Sequence, residues 1–221
     1  MTPESKKELK SQIYEQFARM GKAFSNARRL EIIDLLSQAN HTVEDLAYKT
    51  GLSVASVSQH LQILRNAKIV EVSREGTYAW YRLSDERVFD IWRVMRNLAQ
   101  ERFAEINQLL KLYFEERDLL ETIDAAELLR RIQEGSITII DARPEDEYAA
   151  GHIPNALSIP LEKLEAYLED LPANCVIVAY CRASYCLLSD EVALLLRERG
   201  YDVHVYQDGF REWKAAGYPT G

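Results

Sequence analysis

All three cysteines of this 221-residue sequence lie between Cys175 and Cys186, and the middle one stands at the end of an apolar run. The β-branched run from Val176 predicts a buried strand that ends at Cys181, and a helical pattern begins near Ser184. At such a strand-to-helix junction, backbone N–H groups lack intrahelical partners and stabilise a nearby anion. We therefore expect Cys181 to be a reactive thiolate that can carry a sulfur atom, whereas Cys175 is typical of a buried structural cysteine.

The second half of the chain predicts a small α/β domain that would position this cysteine. Short strands alternate with helices, which indicates a parallel sheet covered on both faces. The predicted helices span residues 125–134, 161–168, 184–199 and 210–216, and the predicted strands span 137–140, 176–180 and 203–206. Sites in such sheets gather at the carboxyl ends of the strands. Three strand ends carry polar residues there, namely Asp141 and Arg143, Cys181 and Arg182, and Gln207, Asp208 and Gly209.

Two motifs flank the cysteine loop. One begins at Asp141 and reads Asp-Ala-Arg-Pro-Glu-Asp-Glu-Tyr-Ala-Ala-Gly-His-Ile-Pro-Asn-Ala, and the other begins at Asp208 and reads Asp-Gly-Phe-Arg-Glu-Trp. Together with the loop they resemble a single-domain rhodanese over about residues 120–220. The resemblance implies that Cys181 accepts sulfane sulfur as a persulfide, that Asp141 and Arg143 brace the loop, and that Arg182 attracts anionic donors. It also implies that backbone amides hold the persulfide, from Arg182 through Ala183, Ser184, Tyr185 and Cys186 to Leu187.

The loop departs from the rhodanese pattern at two positions. Members that use thiosulfate commonly have a glycine and then a basic residue where this chain has Ser184 and Cys186, which disfavours thiosulfate as the donor. Cys186 has two interpretations: it resolves a persulfide on Cys181 to give a disulfide or polysulfide bridge, or it begins the helix as a small apolar residue. His152, in its Gly-His-Ile-Pro setting, is predicted to make a structural hydrogen bond rather than to act as a base.

The first half of the chain carries a different helical pattern. Apolar spacing predicts amphipathic helices over residues 3–24 and 27–37. Thr42, with Asp45 as a capping-box acid, opens a short helix that Gly51 ends. Two short helices joined by a tight glycine-containing turn are typical of a helix-turn-helix. The second of them opens at Ser53, and its predicted buried stripe consists of Val54, Val57, Leu61 and Leu64.

The opposite face of this second helix is small or hydrogen-bonding and almost free of acid. Such side chains can read base edges in a major groove, while Arg and Lys hold phosphates. A hairpin over residues 69–72 and 78–83, with its turn at Glu75-Gly76, predicts a wing that carries Arg74 near the tip. The predicted DNA-binding residues are Ser53, Ser56, Ser58, Gln59, His60, Gln62, Arg65 and Arg74.

The run from Leu52 to Val70, with the Arg-Glu-Gly turn and the Tyr-Arg-Leu strand that follow, resembles the ArsR family of winged-helix repressors over about residues 5–115. The resemblance implies a homodimer whose interface is formed by the first helix, from Leu9 to Phe24, and by the last, one long predicted helix from Ser84 to Arg117. Many members bind metal through a Cys-Val-Cys-Asp-Leu motif. This chain has no cysteine over residues 42–46 and no histidine over residues 84–117, so we expect no metal site in this half.

Charge differs between the two halves. Up to Leu120 the chain has 18 Lys and Arg against 17 Asp and Glu, net +1, and from Glu121 onward it has 9 against 18, net −9, which together give −8. The overall acidity therefore does not argue against DNA binding by the first half. No apolar run approaches the ~20 residues that a bilayer requires, so we predict a cytoplasmic protein without membrane association, whose cysteines are reactive or buried thiols.

These observations predict two domains: a mainly α winged helix-turn-helix over residues 1–117 and an α/β parallel-sheet rhodanese domain over residues 118–221. The leading hypothesis is a transcriptional repressor that binds double-stranded operator DNA as a homodimer, needs no cofactor, and senses a small persulfide or polysulfide donor through Cys181. The long helix would link the halves mechanically. Two alternatives stay open: a sulfurtransferase with a regulatory DNA-binding domain, and a regulator that responds to arsenic or another oxyanion.

Overall fold

The computed structural model describes residues 3–113, 120–172, 175–183 and 185–221. The chain divides into two compact units, Met1–Glu101 and Arg102–Gly221. The domain boundary predicted after residue 117 falls among residues 114–119, outside the described part, and stays a prediction. No helix in the described ranges is long and apolar enough to cross a membrane.

The chain up to residue 113 has the predicted order of helices followed by a hairpin wing. Strands β1 and β2 pair antiparallel, and Gly76 closes their turn with a φ of 60°. His41 exchanges two backbone hydrogen bonds with Tyr81, of 3.1 and 2.8 Å, which join the segment before α3 to the wing. The elements are α1 (Pro3–Phe24), α2 (Ala27–Gln38), α3 (Val43–Thr50), α4 (Val54–Asn66), β1 (Val70–Glu75), β2 (Tyr78–Leu83), α5 (Glu86–Arg102) and α6 (Ala104–Tyr113).

The pair α3 and α4 forms a helix-turn-helix in which both helix starts are capped by side chains. Thr42 and Asp45 make a reciprocal capping box, in which the hydroxyl of Thr42 accepts a 3.1 Å hydrogen bond from the N–H of Asp45. Gly51 ends α3 in the left-handed region, at a φ of 67°. The hydroxyl of Ser53 caps α4 by accepting from the N–H of Ser56. The predicted capping residues are therefore confirmed.

The buried stripe of α4 is confirmed for three of its four predicted members. Val57, Leu61 and Leu64 are almost completely buried and share one core with α2 and α3. The prediction for Val54 is wrong, because 47% of this residue is exposed. Val54 lies almost in line with Leu61 around the helix axis, since seven residues make close to two turns. It occupies the first turn of α4, however, and no other element covers it.

The predicted single helix from Ser84 to Arg117 is wrong. Helix α5 begins at Glu86, after Asp85 accepts a 2.9 Å hydrogen bond from the N–H of Arg87, and it ends at Arg102. Phe103 is not helical, and α6 begins at Ala104. The apolar rhythm continues across the interruption, so the sequence alone indicates one helix. The last residues of the predicted helix, 114–117, lie outside the described part of the chain.

The second half forms the predicted parallel sheet, with five strands in the order β3-β7-β6-β4-β5. Strand β6 is central, and its successive side chains face two different cores: Ile177 and Ala179 one, Val178 and Tyr180 the other. The elements are β3 (Glu121–Ile123), α7 (Ala125–Glu134), β4 (Ile137–Asp141), α8 (Glu145–Ala149), β5 (Ala156–Ser158), α9 (Leu164–Tyr167), β6 (Val176–Tyr180), α10 (Leu188–Glu198), β7 (Val203–Tyr206) and α11 (Phe210–Ala215).

Several elements of this half differ from the sequence-based expectation. The three-residue strands β3 and β5 and the five-residue helix α8 were not predicted, because such short elements carry no readable periodicity. The helix predicted over residues 161–168 shortens to α9, with a 3₁₀ turn on each side. Helix α10 begins at Leu188 rather than near residue 184. The loop after Cys181 is therefore longer than predicted, and it contains a turn in which the N–H of Cys186 donates to the carbonyl of Ala183.

The capping box yields a test of the helix-turn-helix. Thr42→Ala removes the hydroxyl that satisfies an N-terminal amide of α3, and we expect a loss of about 1 kcal/mol in the local stability of that helix. Native-state amide hydrogen exchange of α3 in the full-length protein measures it. Thr77→Ala, at the exposed turn of the wing, is the matched control. Equal protection of α3 in both variants would contradict the capping assignment.

Candidate functional site

Cys181 is the first residue after the central strand β6 and is 1% exposed. A disulfide joins it to Cys186, and their Cα atoms are 6.2 Å apart. The carbonyl of Cys181 accepts a 3.4 Å hydrogen bond from the N–H of Phe210, at the start of α11. The loop cysteines are therefore held between the end of β6 and the segment that follows β7.

Gly209 fits closely against the backbone of this loop. A Cβ atom at this position would lie 2.2 Å from the carbonyl oxygen of Arg182 and 2.7 Å from that of Cys181. Its φ of 82° is also in the region that favours glycine. Only a glycine at the second position of the Asp-Gly-Phe-Arg-Glu-Trp motif lets the segment after β7 approach the cysteine loop this closely.

A buried ion pair joins two of the predicted site residues. The side chains of Asp141 and Arg143 have no solvent exposure, and an Nη2 to Oδ2 distance of 2.6 Å is the shortest of their contacts. Arg143 also donates to the carbonyl of Gly151, at 2.8 Å, and its guanidinium lies 4.7 Å from the centre of the Phe210 ring. The hydroxyl of Tyr180 donates to Asp141 at 2.5 Å.

The protonation of this network is fixed by burial and charge. Burial, followed by the negative charge of Asp141, raises the pKa of Tyr180 well above its usual value of 10. The phenol therefore stays protonated and remains a donor to the carboxylate. Burial lowers the pKa of Arg143, but the hydrogen bonds and the charge of Asp141 outweigh it and raise that pKa overall. The guanidinium of Arg143 therefore stays charged across the physiological pH range.

Arg182 is paired with a carboxylate that the sequence analysis did not single out. Its Nε donates to Oε2 of Glu147 at 2.8 Å, and its Nη2 donates to Oε1 of the same residue. Glu147 lies in α8, and its side chain is 0% exposed, against 20% for Arg182. The loop cation predicted to attract anionic donors is thus engaged by a buried acid. No pattern in the sequence separates Glu147 from its neighbours Glu145 and Asp146.

The remaining loop residues differ in their exposure to solvent. Ala183 is buried, Tyr185 and Cys186 are half-buried, and Leu187 is 38% exposed. Ser184 lies outside the described residues, and a cradle formed by the loop amides stays a prediction. His152 makes the predicted structural contacts: its Nδ1 lies 3.1 Å from the carbonyl of Tyr148, and the two rings stack. Cys175 is half-buried rather than buried, and its sulfur lies 3.2 Å from the hydroxyl of Thr138.

The predicted DNA-binding residues divide by exposure. Ser58, Gln59, Gln62 and Arg65 are exposed on α4, and Arg74 is exposed on β1. Ser53 and Ser56 meet each other at the start of α4, where the side chain of Ser53 is used as the cap. The exposed group is hydrogen-bonding and basic, as contact with base edges and phosphates requires.

His60 is less accessible than the rest of this set. It is half-buried, and its Nδ1 has no hydrogen-bond partner among the residues that the structure describes. Burial, and then the charges of Arg29 and Arg28 on α2, lower the pKa of His60 below 6.5. The ring is therefore neutral at pH 7 and lies near the cations of α2.

Apolar residues also contribute to the exposed surface of the helix-turn-helix. Tyr48 is 91% exposed, Val54 47% and Ile63 44%. Val54 was predicted to be buried, and Tyr48 and Ile63 were not among the polar residues expected to bind DNA. Apolar groups on a recognition helix can contact thymine methyl groups, so Val54 and Ile63 join the candidates for direct readout. Within the described residues, no group of three or more His, Cys, Asp or Glu is arranged to hold a metal ion.

Comparison with known proteins assigns each half separately. Residues 26–72 match the model described as bacterial regulatory protein, arsR family, and residues 124–216 match the rhodanese-like domain. The chain is 39% identical, over 96% of its length, to the HTH-type transcriptional regulator Rv0324 of Mycobacterium tuberculosis, of which it covers 92%. Its second half is 34% identical to the thiosulfate sulfurtransferase GlpE of Coxiella burnetii, over 44% of this chain and 87% of that protein.

Solved structures resemble each half as well. One is the homodimeric winged helix-turn-helix DNA-binding domain (fragment 1–100) Mb0332 from Mycobacterium bovis, at 39% identity and a TM-score of 0.41 over 42% of this chain and 87% of that one. Another is a rhodanese-related protein from Thermoplasma volcanium, at 25% identity and a TM-score of 0.41 over 46% of this chain and 97% of that one.

The fold and the two sites define a winged helix-turn-helix DNA-binding protein joined to a rhodanese domain. The chain belongs to the ArsR family of HTH-type transcriptional regulators, and its rhodanese domain is C-terminal. Both families expected from the sequence are therefore confirmed.

Gly209 provides a test of the loop geometry. Gly209→Ala adds a methyl group that collides with the carbonyl of Arg182, whereas Gly200→Ala, at a similar φ of 86°, adds one that meets nothing within 4 Å. Both variants carry the backbone strain, so the difference between them isolates the collision. We expect Gly209→Ala to be less stable than Gly200→Ala by about 1–3 kcal/mol, by calorimetry of the full-length protein. Equal stabilities would show that the loop does not need the close approach.

Proposed function

We propose that this regulator is a repressor that senses reactive sulfur through Cys181 in its rhodanese domain. The observation that carries the proposal is the pairing of Cys181 with Cys186 inside the loop of that domain. Two thiols close enough to form a disulfide give the loop two chemical states, reduced and oxidised. The buried position of Cys181 at a strand end, beside the start of α11, supports its assignment as the reacting thiol.

The sensing reaction has two balanced steps. The Cys181 thiolate attacks the outer sulfur of a hydropersulfide RSSH, the S–S bond of the donor breaks, and RS⁻ leaves while Cys181 becomes a persulfide. The Cys186 thiolate then attacks Sγ of Cys181, which releases HS⁻ and forms the disulfide. The sulfane sulfur is reduced to HS⁻ and the two thiolates are oxidised, so no further oxidant is needed.

For DNA binding, we propose that the protein acts as a homodimer on its operator. Among the described residues, helix α1 carries exposed apolar side chains, and α5 and α6, each taken by itself, do so too. Burying such side chains against a second copy removes them from water, as a dimer of this class requires. The exposed residues are Leu9, Ile13, Phe17 and Met20 on α1, Ile91, Val94 and Leu98 on α5, and Leu109 and Leu112 on α6.

The signal must pass from the Cys181 loop to the helices of the dimer. A disulfide fixes Cys186 two residues before α10, and we expect its formation to change the packing at the start of that helix. We propose that this change weakens operator binding through the segment that joins the units. Because α5 ends at Arg102, the connection cannot be the single rigid helix expected from the sequence.

A second candidate function is catalytic sulfur transfer, in which the DNA-binding half regulates or localises an enzyme. It is supported by the similarity of residues in the second half to a protein named as a thiosulfate sulfurtransferase. The two functions differ in turnover: a sensor reacts once per chain and stops at the disulfide, whereas an enzyme passes sulfur repeatedly to an acceptor such as cyanide.

Cysteine variants test the sensing role. The operator is first selected from a random duplex pool by the reduced wild-type protein. On treatment with a hydropersulfide, we expect the wild-type protein to lose operator affinity by about tenfold or more, a coupling of ordinary size. Cys181→Ser should retain full affinity, and Cys175→Ser is the matched control that should respond like wild type. Mass spectrometry should find one added sulfur on Cys181 in Cys186→Ser and a disulfide in wild type.

The proposal fails if Cys181→Ser releases DNA as readily as wild type. Steady cyanide-dependent turnover by a protein whose operator affinity never changes would favour the enzyme instead. Exposure of parallel samples to arsenite or arsenate, with the same mass spectrometry, tests the remaining alternative of a soft-element sensor.

A further inference from the structure

The charge of the loop is compensated inside the protein. Arg182 is the one charged residue of the sequence between Cys181 and Leu187. Both carboxylate oxygens of Glu147 receive hydrogen bonds from its guanidinium. Glu147 is completely excluded from solvent, and separating it from Arg182 would remove a directly hydrogen-bonded opposite charge from a buried carboxylate.

The paired charges also affect the electrostatic potential at the reacting sulfur of Cys181. The nearby pair of Asp141 and Arg143 is also neutral as a unit, and Glu147 acts electrostatically on Arg143 as well as on Arg182. Two acids and two cations therefore cancel beside Cys181, and a thiolate there adds one negative charge. The surrounding half of the chain is strongly acidic. A donor with two negative charges is disfavoured by this arrangement more than a donor with one.

We propose that Glu147 is a positioning residue that sets donor specificity: by holding the charge of Arg182, it makes the Cys181 site select neutral or singly charged hydropersulfides over dianionic thiosulfate. This inference rests on the proposed function, because it assumes that Cys181 accepts sulfane sulfur. Transfer of the outer sulfur of a hydropersulfide to Cys181 releases RS⁻ as the leaving group. With thiosulfate the same attack would release sulfite, and the dianion would have to approach a site without net positive charge.

The test compares two donors in single-turnover reactions of the reduced full-length protein. The donors are thiosulfate and the hydropersulfide of 2-mercaptoethanol, a monoanion. All proteins carry Cys186→Ser, so that the persulfide on Cys181 persists and mass spectrometry can follow its formation. The measured quantity is the ratio of the second-order rate constants for thiosulfate and hydropersulfide. Purely structural damage slows both reactions together and leaves this ratio unchanged.

Glu147→Gln keeps the size of the side chain and removes its charge. We expect the ratio to rise by about tenfold, because the charge of Arg182 beside the thiolate is no longer opposed by that of Glu147, and we expect the rise to shrink at high salt. Glu147→Gln with Arg182→Gln removes both charges and should return the ratio to that of the parent. The double variant also serves if the single variant does not fold, because a raised ratio in a protein without either charge would overturn the inference.

The outcomes separate this inference from the proposed function. If the parent accepts sulfur from the hydropersulfide and the ratio does not change in Glu147→Gln, the specificity role of Glu147 is wrong and sensing by Cys181 still stands. If Cys181 in the parent gains sulfur from neither donor, the proposed function itself is wrong.

Discussion

The buried ion pair between Asp141 and Arg143 is the interaction on which the thiol site depends. Asp141 ends β4, Tyr180 at the end of β6 donates to it, and Arg143 contacts the ring of Phe210 at the start of α11. The pair thus joins the ends of β4 and β6 to the start of α11. Desolvating two charges is costly, and loss of one partner of such a pair costs about 3–5 kcal/mol because the other charge remains buried. The carboxylate and the guanidinium therefore hold each other, and the loop that carries Cys181, in one arrangement.

Much of this site was predictable because its residues stand in local motifs. Strand ends in a parallel sheet converge, so the sequence alone predicts that Asp141, Arg143 and Cys181 lie close together. Caps and turn glycines such as Thr42 and Gly51 are equally local. Glu147 was missed because its partner is 35 residues away, and only the fold decides which of three neighbouring acids is buried. The interruption at Phe103 was missed for a related reason, since the apolar rhythm continues through it.

The two halves of the chain carry different chemical groups. The helix-turn-helix presents hydrogen-bonding, basic and some apolar side chains, but residues 42–46 contain none of the soft sulfur ligands by which relatives of the family bind metal. The thiols are all in the rhodanese domain, where two of them are joined in one loop. We therefore propose that thiol chemistry at that loop is the source of the signal, and that the paired charges beside it select among sulfur donors.

The central claim is that chemical modification at Cys181 controls DNA binding, and one titration tests it directly. Reduced full-length protein is treated with increasing amounts of a monoanionic hydropersulfide, and each sample is divided between peptide mass spectrometry and an operator-binding measurement by fluorescence anisotropy. The account predicts that the fraction of protein unable to bind operator rises in step with the fraction modified at Cys181. Complete modification of Cys181 with unchanged operator affinity would contradict it.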